Sequence, residues 1–139
     1  MLHYRFAAVL ALMLLAPSAL AGIWLKRDEL LRLPTEGPAW ERVRTMAYSD
    51  FGRAIGGHND NHDGNTLGQA LVAERLEDAQ LRERVIVNLM SAIDTDESNC
   101  SGDFCDSLSI SRNLVAYVLA ADTIDFKRID PSRESRFRA

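Results

Sequence analysis

Along the chain, apolar positions fall into runs at helical spacing separated by short polar breaks. Residues 26–33 carry Leu30, Leu31 and Leu33, enough for one or two helical turns with an apolar side. Pro34-Thr35-Glu36-Gly37-Pro38 ends that segment. Pro38 suits the first position of the next helix, where a backbone N–H would have no partner. Over residues 38–49, Trp40, Val43, Met46 and Ala47 sit at helical spacing, and Phe51 is expected to pack back on them. Leu67, Ala70, Leu71 and Val72 open a second helix expected to end near Glu77. After a turn at Asp78-Ala79, Leu81, Val85, Leu89 and Ile93 fall four apart, with Ile86 and Met90 beside them. Arg82, Glu83, Arg84 and Asn88 take the opposite side, the clearest amphipathic pattern in the chain. So short a turn makes the two helices an αα-hairpin.

Residues 94–107 read as a polar, acidic loop, and residues 109–124 as a last full helix. Within that helix, residues 114–121 are apolar almost all round, which predicts burial on nearly every side. Asp130-Pro131 offers a cap and first turn for one more helix, and the chain stops eight residues after Pro131. Neither strand alternation nor a repeat of fixed period is visible. The predicted class is all-α.

The first 21 residues stand apart from this pattern. A short basic start, an unbroken apolar run over residues 6–16 and the ending Pro17-Ser18-Ala19-Leu20-Ala21 match an export signal cut after a small residue. The run is shorter than the about 20 apolar residues of a membrane span. The mature chain is expected to start at Gly22 and to be secreted or periplasmic, with residues 22–139 as one small helical domain.

Charge narrows the partners. The whole chain has 16 basic and 20 acidic residues; losing Arg5 with the leader leaves 15 against 20, a net charge of −5. Bulk attraction to nucleic acid or to an anionic membrane is therefore not expected. Cys100 and Cys105 fit an oxidising compartment. Their spacing lacks the Cys-x-x-Cys redox pattern, so a structural disulfide is expected, worth about 2 kcal/mol for so short a loop.

Chemistry concentrates in residues 56–65, which hold two His, three Asn and two Asp. Asn65 or Thr66 alone would cap the helix that follows, and the remaining polar groups exceed what capping needs. Asn59, Asn61, Asp63 and Gly64 imitate half of a calcium loop, but its twelfth position is Ala70, where a bidentate glutamate is required. His58 and His62 have no third strong ligand at a useful spacing, so neither a metal nor any other cofactor is expected. Further along, Arg112, Asn113 and Tyr117 lie on the long apolar helix, Asn113 one turn before Tyr117 on the same face. Either Arg112 sits at the rim while Tyr117 packs, or a buried Arg, Asn and Tyr mark a site, where the guanidinium would need an anion.

Four stretches in order resemble exported alginate-lyase-like proteins: residues 33–40, Asn61-His62-Asp63, residues 67–72 and residues 111–122. The resemblance spans about residues 30–130 and corresponds to the N-terminal part of that family. It implies helical hairpins forming part of an incomplete (α/α) toroid, of which this chain would supply a truncated portion. It also implies β-elimination on an acidic polysaccharide of uronic-acid type. Asn61 and His62 would then neutralise the uronate carboxylate and help remove the C5 proton. Tyr117 would donate to the leaving O4, with His58, Arg112 and Asn113 binding substrate. The chemistry calls for such groups, because the C5 proton is too weakly acidic until the carboxylate charge is neutralised. A non-catalytic exported module binding a glycan or a protein is the other reading.

Overall fold

The computed structural model describes residues 23–54, 61–95 and 103–139, with the side chains of residues 103–110 excepted. Described elements are α1 (Arg27–Leu30), α2 (Pro38–Tyr48), α3 (His62–Arg75), α4 (Ala79–Ile93), α5 (Asp103–Thr123), α6 (Phe126–Ile129) and α7 (Pro131–Arg138). All are helical, as the apolar periodicity predicts, and no strand occurs among the described residues.

Local chemistry sets most boundaries. Gly37, at φ 91°, turns the chain into α2 with Pro38 in its first turn. Between α3 and α4, Glu77 takes a left-handed conformation at φ 54°. Asp78 then caps α4, its carboxylate accepting from the N–H groups of Gln80 at 3.0 Å and Leu81 at 2.9 Å. Asp130 caps α7 in the same way, accepting from the Arg133 N–H at 2.9 Å. The hairpin α3–α4 is the one expected.

Helix α3 packs against α2, α4 and α5, which makes it the hub of the fold. Its Val72 and Ala73 meet Ala47 and Leu81 in one apolar cluster, flanked by Trp40 and Val43. Its Ala70 belongs to a second cluster with Val85, Ile86, Leu89, Tyr117, Ala120, Ile124 and Phe126. Gly68 faces α2 so closely that an added Cβ would lie 2.2 Å from the Met46 methyl. On the other flank Glu74 is buried, with Arg82 hydrogen-bonded to it and Arg27 at 3.5 Å, so one carboxylate ties α1, α3 and α4 together.

Three expectations are corrected. Helix α3 starts at His62, five residues before Leu67, because Asn61 rather than Asn65 or Thr66 takes the N-cap position and accepts the Asn65 N–H at 2.9 Å. Helix α5 starts at Asp103, inside the stretch read as loop. Finally, α5 is not surrounded: Leu114, Val115 and Val118 are 52%, 59% and 38% exposed. Packing from α3, α4 and α6 reaches one side of this helix and leaves the other open.

Candidate functional site

The N-terminal turn of α3 places His62 inside the protein, 2% exposed. From the middle of α5, Tyr117 reaches it, itself 8% exposed. The phenolic oxygen lies 2.9 Å from His62 Nδ1, a hydrogen bond between residues 55 apart in sequence. Buried polar groups are stable only when so paired. The two rings are tilted, with centroids 5.9 Å apart. Phe51 closes the other side of the imidazole edge-on, its ring centroid at 5.2 Å. Phe51 thus packs against His62 of α3.

One turn along α3, Thr66 donates its hydroxyl to the His62 carbonyl at 2.7 Å and brings the same oxygen within 3.4 Å of Nδ1. A further turn on, buried Gln69 donates to the Ala47 carbonyl at 2.7 Å and accepts from the Asn88 amide at 2.9 Å. His62, Thr66 and Gln69 follow helical spacing, so this face of α3 is a polar stripe turned inward. Sequence reading missed Thr66 and Gln69 as parts of the site. The signal was present as polar residues at positions i, i+4 and i+7, a period ordinarily sought among apolar residues.

Beside α5 runs a groove of about 950 Å³, lined in part by Tyr117, Ile93, Leu114, Val118, Phe126 and Phe137. Asn113 also lines it, one turn from Tyr117. Tyr117 therefore belongs both to the buried pair and to the groove wall. The described charges along the wall are Lys127 and Arg138 against Asp122, Asp125 and Glu134. Arg138 is already engaged by Glu134.

The other anticipated residues are placed differently. Asn61 is exposed at the N-cap of α3, next to His62 in sequence. Arg112 is exposed and does not line the groove; five residues at about 3.6 per turn set it about 140° round the helix from Tyr117. Of the two readings, Arg112 at the rim with Tyr117 packed is the one the structure has. His58 and Cys100 lie outside the described residues, as does the Cys105 side chain, and with them the expected disulfide. Among the described residues no cluster of three or more His, Cys, Asp or Glu could hold a metal ion, and no helix is long and apolar enough to cross a membrane.

No family model, no curated protein and no solved structure matches the chain. What its residues can do chemically follows from the geometry. A 2.9 Å contact between an imidazole nitrogen and a phenol lets a proton cross between them in a single step, and the phenol lines the groove.

Proposed function

We propose that the chain belongs to an exported polysaccharide lyase that cleaves uronic-acid glycans of the alginate type by β-elimination. One observation carries this reading: His62 and Tyr117, from helices far apart in sequence, meet in a hydrogen bond at 2.9 Å beside a groove. Supporting it, Asn61 and His62 occupy the N-terminal end of α3, where free N–H groups and the helix dipole favour a carboxylate. In the reaction, the Asn61 amide and the N-terminal end of α3 neutralise the uronate carboxylate, and the C5 proton passes to the neutral His62 imidazole. The C5–H electron pair becomes the C4–C5 double bond, the C4–O4 bond breaks, and Tyr117 gives its phenolic proton to O4. Atoms and charge balance without a cofactor or a metal.

A second reading is favoured by the groove itself. Its wall is largely apolar and its described carboxylates outnumber its cations, an arrangement better suited to a protein segment than to a polyanion. On that reading the chain is a non-catalytic exported module.

Incubation of the chain with alginate and other polyuronates separates the two. The lyase reading expects ultraviolet absorbance from the unsaturated product, lost in His62→Ala and reduced much less in His58→Ala. Glycan or protein binding with no absorbance from any polyuronate would favour the module and overturn the lyase.

A further inference from the structure

We infer that α7 is a strap forming part of the groove wall, fastened by charge and released as a unit when that charge is screened. The helix has only eight residues, and none of them is buried. Beyond α6, which leads into it, the helix it packs on is α4. Two ion pairs join it to that neighbour. Arg133 grips Glu83 with both terminal guanidinium nitrogens, at 2.7 and 3.0 Å. Arg136 Nη2 reaches Asp94, the residue after α4, at 2.6 Å. The aromatic part of the contact is Phe137, its ring tilted on that of Phe126 with centroids 6.0 Å apart. The pairs of Arg133 with Asp130 and of Arg138 with Glu134 lie within the α7 segment and cannot fasten it to anything else.

Both fastenings face water, since the Glu83 and Asp94 side chains are 55% and 45% exposed. Exposed pairs are individually weak, and salt weakens them further. The screening length falls from about 10 Å at 0.1 M salt to about 3 Å at 1 M. Isolated helices shorter than about 12–15 residues are marginal in water, so α7 loses its own hydrogen bonds once it leaves α4. Asp130, at φ −142° and ψ 82°, is a non-helical joint between α6 and α7, which lets α7 leave while α6 stays. Glu134, Phe137 and Arg138 line the groove and go with it. Release therefore opens the groove on that side and removes the ring packed on Phe126, whatever the groove takes.

The test is amide hydrogen exchange of the full chain, followed residue by residue by NMR at about 0.1 M and about 1 M sodium chloride. The reporters are the N–H groups of residues 134–138, the first of which donates to the Asp130 carbonyl at 3.0 Å. At low salt they should share one opening and exchange ahead of the amides of α3 and α4. High salt should speed all of them together by roughly 2–30-fold, the effect of losing two exposed ion pairs, and leave α3 unchanged. Glu83→Gln combined with Asp94→Asn should give the fast rates at low salt and abolish the salt response. Arg136→Gln, which breaks one pair from the α7 side, should give part of the same effect. Rates that climb gradually toward Ala139 would mean fraying of a chain end and would overturn the inference. So would α7 amides that ignore salt, or that exchange no faster in the double variant. No arm of the test involves turnover, so its failure and that of the lyase reading are separate results.

Discussion

Helices α3 and α5 invert each other's expected burial. Helix α3 buries the polar side chains of His62, Thr66 and Gln69 on one face and Glu74 on another flank, while the outer face of α5 carries Leu114, Val115 and Val118, all exposed. On α3 the cost of burying polar groups is offset one bond at a time, by Tyr117, the His62 and Ala47 carbonyls, Asn88 and Arg82. No such compensation operates on α5, whose open apolar face runs into the groove wall through Leu114 and Val118. Side-chain type alone therefore misjudges both helices. What decides burial here is which neighbours each helix has, and α3 has neighbours on three sides.

Disrupting the α3 side of that contrast should have the largest effects on stability. Glu74→Ala would leave Arg82 and Arg27 facing an empty pocket. Because both guanidinium groups keep some solvent access, the loss should be about 2 kcal/mol, below the range for fully buried pairs. Chemical denaturation of the variant measures it, and a change within error would show that the carboxylate is not holding three helices together. Gln69→Leu should cost about 1–2 kcal/mol by the same measurement, since the Ala47 carbonyl and the Asn88 amide both lose a partner.

Effects on the α5 side should be smaller and of another kind. Val115→Ser should change monomer stability by less than about 0.5 kcal/mol, because the side chain is already 59% exposed. It should also weaken any self-association seen by sedimentation, since an exposed apolar face favours contact with another surface. A large loss of stability would mean that this face is covered.

A pH-dependent effect concerns Asp78. Its carboxyl is held below the usual range, first by the Leu81 N–H and then by the Tyr48 hydroxyl, which donates to it at 2.7 Å. A depressed carboxyl contributes stability that is fully present above its unfolded pKa of about 3.9 and is lost as pH falls through the lower folded value. Asp78→Ala should therefore lower stability by about 1 kcal/mol at neutral pH and flatten the acid limb of the stability curve. Equal slopes below pH about 4 in the two proteins would contradict this.

The contrast also explains what could be read in advance. The all-α class, the α3–α4 hairpin, Pro38 at the start of α2 and the Asp130 cap of α7 follow from local spacing and turn chemistry, and the structure has each of them. Helix α3 was misplaced at its start because polar residues ahead of Leu67 read as loop, although His62 and Thr66 among them are buried, His62 paired with Tyr117 of α5 and Thr66 with the His62 carbonyl. The open face of α5 was misjudged because an apolar sequence says that a helix can be buried, not that partners surround it. Of the site, His62 and Tyr117 were anticipated as chemistry, but their hydrogen bond is a tertiary fact. Thr66 and Phe51 acquire meaning only once that bond is seen.

The most direct test of the proposed function is turnover of polyuronate by Tyr117→Phe. The substitution deletes one oxygen and should cost about 1 kcal/mol of stability through the lost bond to His62, so folding is checked first by thermal denaturation. If the phenol gives its proton to the leaving O4, a folded Tyr117→Phe chain should form unsaturated product about 10²–10⁴-fold more slowly than the Tyr117 chain on the polyuronate the latter cleaves. Equal rates in the two folded proteins would contradict the assignment.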